Sequence, residues 1–456
     1  MIEMSLTEIA QILGCQSPKQ DSAIHGVSRD TRHISPGNLY IAIQGERFDG
    51  HNFINEAAKQ GATAALVSRK VDAAIPQIIV PDTLAALGRL SAHWRQRFNI
   101  PFIGVTGSNG KTTLKNMIAA ILTAACDNHA EQVLATEGNL NNNIGVPLML
   151  LRLNSNHRYS VIEMGMNAFN EIAYLTKLTH PAVAVINNAA ASHLAGVKNI
   201  AGVAQAKGEI FQGLSADGIA ILNRDDDYFE YWRKLIGTHQ YLSFGLNNPA
   251  DIYADIGGNN QITIHTPRGK FTLTLPLLGL HNVMNALAAT AATLAIDIDL
   301  TAIKQGLESV APAPGRMHQF SLKNGAKIID DTYNANPFSL HAAAQTLATL
   351  PGTTIVVLGD MKELGDDAEK MHFEAGVKMK KLGIHHLFTY GNLSAETQRG
   401  FGGETTQHFT DREQLYTALQ PYLKPDVTAL IKGSRSMQME KIIQLIAPEK
   451  KLEHTH

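Results

Sequence analysis

The segment Gly104-Val105-Thr106-Gly107-Ser108-Asn109-Gly110-Lys111-Thr112-Thr113 limits the possible folds more than any other stretch of the chain. An apolar run, Phe102-Ile103-Gly104-Val105, leads into it, and residues 114–124 continue from it with helical character. A strand that turns through glycines into a helix opens an α/β unit built on a largely parallel sheet. The glycines permit a tight loop whose backbone N–H groups can wrap phosphate oxygens, and the helix N-terminus favours an anion. In such a loop Lys111 would reach the β- and γ-phosphates and Thr112 would ligate Mg²⁺. The strict phosphate-loop pattern requires a glycine where this chain holds Val105. An ordinary glycine-rich turn is the plain alternative. The strand before, the helix after and the intact Gly-Lys-Thr-Thr point to a phosphate ligand.

The same alternation recurs along the chain. Tyr159-Ser160-Val161-Ile162 runs into Glu163, Val183-Ala184-Val185-Ile186 into Asn187, and Ile219-Ala220-Ile221-Leu222 into Asn223. Ala311-Pro312-Ala313-Pro314-Gly315 interrupts both periodicities and reads as a linker. Beyond it, apolar runs at 327–329, 354–358, 386–390 and 429–431 again end in polar or glycine-bearing residues. Ligands in open α/β sheets gather beyond the carboxyl ends of strands, so a site between the two α/β units is expected. With 456 residues, too many for one core, the chain is read as three domains. These are a small α/β unit over 1–83, a central phosphate-loop domain with a mainly parallel sheet over 84–312, and a Rossmann-like domain over 313–456.

Bulk properties exclude several classes. A formal charge of −2 gives no reason to expect nucleic acid. No apolar run reaches membrane-spanning length, and the first residues lack a signal-peptide pattern. Only Cys15 and Cys126 are present, which suits a reducing compartment. A cytoplasmic protein is expected, working as a monomer.

Three residues are candidate metal or activation groups, Glu163 and His193 beside strand ends and Lys207 in a helical stretch. Glu163 can meet Mg²⁺ on a nucleotide, or simply cap a helix or make a salt bridge. His193, after Asn187-Asn188-Ala189-Ala190-Ala191-Ser192, also fits a hydrogen-bonded structural histidine. Lys207, within Ala204-Gln205-Ala206-Lys207-Gly208-Glu209, would by default be a solvated helix lysine. Their joint appearance with the loop is what raises them above those readings.

That combination resembles the Mur ligase family, whose members add amino acids to the peptide of peptidoglycan precursors. Gly107-Ser108-Asn109-Gly110-Lys111-Thr112-Thr113 is similar to the family's variant phosphate loop. The resemblance implies ATP as a substrate, Mg²⁺ held by Thr112 and Glu163, a second metal helped by His193, and a carbamate on Lys207 supporting that metal. Lys111, His193 and Lys207 would then be the catalytic set. Ser192 stands where many members carry an acidic residue.

The resemblance extends along essentially the whole chain. Ser28-Arg29-Asp30-Thr31-Arg32 and Gly45-Glu46-Arg47-Phe48-Asp49-Gly50-His51 look like the UDP-recognising domain, implicating Ser28, Asp30, Thr31, Arg32, Gly45, Glu46, Asp49 and His51. The run 136–147, with Asn139 and Asn142, resembles a loop contacting the nucleotide-sugar peptide, though its asparagines also suit a turn cluster. Asn282 and Asn285, near the adenine in the family, alternatively begin a helix. Arg316 and Asp331 complete the ATP set. Asn334, Asn336, Lys432 and Ser434 lie in the two stretches, 330–337 and 432–436, that most resemble members adding D-alanyl-D-alanine to a UDP-N-acetylmuramoyl-tripeptide. The implied chemistry is formation of an acyl phosphate followed by attack of the dipeptide amine. The third residue of the peptide, meso-diaminopimelate or lysine, stays open. The rivals are another amide ligase of the superfamily, and a phosphate-loop switch whose hydrolysis drives a partner.

Overall fold

The computed structural model describes residues 1–45, 48–192, 194–258 and 261–449. A four-stranded parallel sheet comes first, in the order Val27–Ser28, Leu39–Ile41, Ala64–Val67, Gln77–Ile79. A short antiparallel pair, Glu3–Ser5 with Ala23–His25, stands beside it. The strands are short, and the polar segments that follow them, 28–32, 42–45 with 48–50, and 68–70, all lie at one end.

The second sheet has six strands, all parallel, in the order Gln240–Phe244, Ile219–Asn223, Val183–Ile186, Phe102–Thr106, Tyr159–Glu163, Val133–Ala135. Its central strands are buried on both faces, which explains their unbroken apolar runs. The strand Phe102–Thr106 lies between Tyr159–Glu163 and Val183–Ile186, so the carboxyl ends Thr106, Glu163 and Asn187 are neighbours. The helices Lys111–Ala124, Leu280–Leu294 and Leu300–Ser309 cover one face, packing Leu114, Ile118 and Ile121 against Leu287 and Ile303. A three-stranded antiparallel sheet, Tyr253–Ile256, Gln261–Thr266 and Gly269–Thr274, is an addition that strand–helix alternation did not announce.

The third sheet also has six strands, ordered His318–Ser321, Lys327–Asp331, Val427–Lys432, Thr353–Gly359, His386–Tyr390, Thr406–Phe409. Only the edge strand His318–Ser321 is antiparallel, an arrangement common in Rossmann-like sheets. The linker at 311–315 runs between helix Leu300–Ser309 and that edge strand.

The first two sheets share one core. Helix Thr83–Arg95 puts Ala86, Leu87 and Leu90 into a cluster containing both Leu66 of the first sheet and Ile162 of the second. Polar ties reinforce it: Trp94 Nε1 donates to the Leu153 carbonyl at 3.1 Å, and Ile2 N to the Leu151 carbonyl at 2.7 Å.

Candidate functional site

The phosphate loop emerges where the second sheet reverses strand order, the position at which open α/β sheets bind ligands. Two of its glycines are demanded by packing. A Cβ on Gly107 would lie 2.9 Å from Asn187 Cβ. Gly110 has φ +78°, and a Cβ there would lie 2.6 Å from Asn285 Oδ1. Helix Lys111–Ala124 begins directly after Gly110, earlier than the apolar pattern from 114 suggested.

The loop is held from behind by the segment after Val183–Ile186. Ser108 N donates to the Asn188 carbonyl at 3.0 Å, and Asn109 N to Asn188 Oδ1 at 2.9 Å. Asn187 Nδ2 bridges the Asn109 carbonyl at 3.0 Å and Asn285 Oδ1 at 2.8 Å. Asn285 Nδ2 in turn donates to Asn282 Oδ1 at 3.1 Å. Asn282 and Asn285 therefore lie in the first turns of helix Leu280–Leu294, with Gly279 at the cap, and they buttress the loop. Ser192 Oγ donates to Ser108 Oγ at 3.0 Å. Asp226, half-buried, accepts from Ala189 N at 2.8 Å and fixes that segment in turn.

Lys111 Nζ donates to the Gly107 carbonyl at 2.7 Å, folding the lysine over its own loop. Burial pushes its ammonium down, Glu163 opposes that, and Arg316 adds to it. Thr113 follows in the first helical turn. Glu163, only 2% exposed, accepts from Thr112 Oγ1 at 2.9 Å on one oxygen and from Asn141 Nδ2 at 2.7 Å on the other. Its backbone N–H donates to Thr136 Oγ1 at 2.9 Å. The Glu163 carboxylate and the Thr112 hydroxyl are hard oxygen ligands side by side, the chemistry that suits Mg²⁺.

Lys207 is 2% exposed on helix Ile200–Gly208. Burial lowers its amine well below the ordinary lysine value, Lys111 adds to this and Asp226 opposes it. It makes no ion pair among the described residues. The default picture of a solvated helix lysine therefore does not hold. His193 lies outside the described residues, and among those described no group of three His, Cys, Asp or Glu side chains is arranged to hold a metal.

Among the described residues, one hydrogen bond joins the third domain to the loop. Asn336 caps helix Pro337–Ala348, accepting from Ser339 N at 2.8 Å, while its Nδ2 donates to Asn109 Oδ1 at 2.8 Å. Asp331 accepts from Lys432 Nζ at 2.5 Å, and the same ammonium donates to the Asn334 carbonyl at 2.9 Å. The Lys432 and Asn336 side chains are thus engaged within the protein, whereas Asn334 is exposed. Arg316 stacks on Tyr333, its guanidinium carbon 3.9 Å from the ring centroid. Ser434 Oγ accepts from Lys362 N at 2.8 Å.

The expected nucleotide-sugar residues form a separate group. Arg32 chelates Asp30, with Nε–Oδ1 at 2.9 Å and Nη2–Oδ2 at 2.6 Å, and this holds the Asp30 carboxyl well below its usual range. Asp30 also caps the turn Thr31–His33. His51 is buried, with Nδ1 2.6 Å from Asp49 Oδ1 and Nε2 accepting from Ser68 N at 2.9 Å, so it braces the loop from inside. Ser28, Asp30, Thr31, Arg32, Gly45 and Asp49 occupy the polar end of the first sheet; Glu46 lies outside the described residues. Among the described residues no hydrogen bond joins this group to the phosphate loop. In the 136–147 run, Asn142 Oδ1 accepts from Gly145 N at 2.8 Å and Asn139 is exposed. Asn141, not singled out by the sequence, is the one that meets Glu163. Thr136, Asn187, Asp226 and Lys115 were likewise unmarked, because only tertiary packing brings them to the site.

A phosphate loop between two α/β sheets, with a small α/β domain fused in front, defines the class. The Mur ligase middle domain matches residues 105–293, the Mur ligase glutamate ligase domain 315–435, and the Mur ligase family catalytic domain 23–95. The chain belongs to the Mur ligase family. It is 41% identical to UDP-N-acetylmuramoyl-tripeptide--D-alanyl-D-alanine ligase of Escherichia coli K12, over 98% of this chain and 99% of that one. It superposes on MurF from Acinetobacter baumannii with a TM-score of 0.91 at 34% identity, covering 98% of this chain and 100% of that chain. MurF from Thermotoga maritima, solved in complex with ADP, gives a TM-score of 0.82 at 26% identity, covering 93% and 97% respectively.

Proposed function

We propose that the chain joins D-alanyl-D-alanine to UDP-N-acetylmuramoyl-tripeptide at the expense of ATP, forming ADP and phosphate in cytoplasmic peptidoglycan precursor synthesis. The observation that carries this is the meeting of the phosphate loop with groups from a third domain, Asn336 on Asn109, in a member of the Mur ligase family matched over nearly its whole length. A free carboxylate is a poor electrophile. Transfer of the γ-phosphoryl group to a carboxylate oxygen breaks the γ-phosphate's bond to the bridging oxygen, releases ADP and leaves an acyl phosphate. The dipeptide amine attacks the acyl carbon, loses a proton, and the tetrahedral intermediate expels phosphate.

Residues of this chain serve each stage. The loop N–H groups and the helix start at Lys111 cradle phosphate oxygens. Lys111, released from the Gly107 carbonyl, and Arg316 stabilise charge on the group in transit. Thr112 and Glu163 would hold Mg²⁺, which when bound neutralises phosphate charge. Asn282 and Asn285 fix the loop and border the adenine side, with Asp331 opposite. Gly107, Ser108, Asn109, Gly110 and Thr113 complete the nucleotide contacts. Ser28, Asp30, Thr31, Arg32, Gly45, Glu46, Asp49 and His51 form the UDP end, Asn139 and Asn142 the peptide contact, and Asn334, Asn336, Lys432 and Ser434 the dipeptide side. The working divisions are 1–83, 84–312 and 313–456.

Lys207 is read as a carbamate carrier. Burial holds the Lys207 amine well below its ordinary value, which favours the neutral form, and the neutral amine is the form that adds to CO₂. The carbamate formed, with loss of a proton, would be an anionic oxygen ligand for a second metal alongside His193. We also read the enzyme as a monomer that needs neither nucleic acid nor membrane insertion. No helix among the described residues is long and apolar enough to cross a membrane. The test is an amine panel with phosphate release. D-Alanyl-D-alanine is expected to support turnover with the UDP-tripeptide, and glutamate or diaminopimelate to give none. Turnover with those amines and none with the dipeptide overturns the reading.

A further inference from the structure

Lys115 is used by nothing described so far, yet it is 7% exposed and lies on the helix that starts the phosphate loop. Residues three and four apart share a helix face, so Lys115 follows Thr112 and Lys111 on the side turned toward Glu163. One turn carries it about 5.4 Å further along the axis, past the N–H groups that serve phosphate. A buried lysine is rare unless paired. Here the ammonium donates to the neighbouring Asn116 side chain and makes no ion pair among the described residues. The charges that reach it are those of Glu163, Arg316 and Glu137. Glu137 opens the exposed stretch 137–139. The cation therefore lies within electrostatic reach of both Glu163 and the exposed segment.

The position suits one anion. The carboxylate to be activated must come beside the terminal phosphate, where Glu163 already places a negative charge, and two anions in a poorly solvated cleft repel strongly. Lys111, the loop N–H groups and the helix start already serve the phosphate. We propose that Lys115 binds the reacting carboxylate of the acyl substrate, pairing with it and positioning it for phosphoryl transfer. The proposal rests on the acyl-phosphate ligase reading, which turnover by the unaltered enzyme tests separately.

The experiment compares the full-length enzyme with Lys115→Met, which keeps the buried stem, and with Lys115→Arg. Binding of the UDP-tripeptide is measured by calorimetry in the presence of a non-hydrolysable ATP analogue, beside a UDP-tripeptide whose terminal carboxylate is a carboxamide. Loss of one charge-assisted hydrogen bond predicts that Lys115→Met binds the acid about tenfold or more weakly. The KM for ATP and for the dipeptide should stay within about twofold, and Lys115→Arg should recover part of the loss. The unaltered enzyme should prefer acid over carboxamide by about the same factor, and Lys115→Met should not discriminate. Undiminished discrimination in Lys115→Met overturns the proposal. So does a rise confined to the KM for ATP, or a lowered melting temperature with both affinities unchanged.

Discussion

Asn336 does two separable things, and a pair of substitutions can pull them apart. Its Oδ1 caps helix Pro337–Ala348 through Ser339 N, and its Nδ2 reaches across to Asn109 Oδ1 at 2.8 Å. Alanine removes both bonds; serine retains a capping oxygen but is too short to cross. Loss of a cap costs about 1 kcal/mol of stability. A neutral hydrogen bond contributes about 0.5–1.5 kcal/mol net, so losing the bridge shifts the engaged fraction of the third domain by roughly two- to tenfold. Asn336→Ser should therefore melt within about 1 °C of the unaltered enzyme while kcat/KM falls about three- to tenfold. Asn336→Ala should show the same kinetic loss plus a melting temperature a few degrees lower. Small-angle scattering with a non-hydrolysable ATP analogue should register a larger radius of gyration for both variants. Unchanged kinetics and scattering in Asn336→Ser, beside a destabilised Asn336→Ala, would refute the bridge and leave only a cap.

Other outcomes follow from the same geometry. Lys111→Ala should bind nucleotide but lose about a thousandfold in kcat, measured by phosphate release; full activity would mean no phosphoryl transfer at this loop. Glu163→Gln keeps a partner for Thr112 but not the charge, so the Mg²⁺ concentration for half-maximal rate should rise about tenfold or more. For Lys207, ¹³C-bicarbonate should give a carbamate resonance that Lys207→Met abolishes; no resonance in the active enzyme ends that assignment. His372 accepts from Met361 N at 3.0 Å, and burial holds its pKa below 6.5. Below pH 6.5 the unfolded chain takes a proton that the folded chain refuses, so stability falls as pH drops through that window. Denaturant melts at pH 7.5 and 5.5 should show a smaller difference for His372→Gln.

The parallel sheets were readable because their strands are apolar on both faces and end in polar residues, as at Val105-Thr106 and Ile162-Glu163. The antiparallel sheet over 253–274 was not, since strands such as Tyr253–Ile256 are mostly exposed and give no buried run. The loop was legible because Gly107, Gly110 and Lys111 stand in one contiguous run between a strand and a helix. Asn141, Thr136 and Asp226 were not, because their partners lie 22, 27 and 37 residues away and nothing in their own neighbourhoods marks them. Lys432 illustrates a further limit. The resemblance marked it as a substrate contact, but nothing local announced that its ammonium would pair with Asp331 on the adjacent strand.

Helix Thr83–Arg95 has a consequence for which substrates can react. Because Ala86, Leu87 and Leu90 belong to the same core as both flanking sheets, the first domain cannot drift relative to the phosphate loop without opening that core. On the proposed placement of the uridine at the first sheet, its distance from the γ-phosphate is then a fixed gauge. A peptide shorter by one residue leaves its carboxyl about 3.5 Å short, beyond the reach of in-line transfer. The enzyme would reject such a precursor by length before any side chain is inspected, and a rigid scaffold would thereby keep the order of assembly.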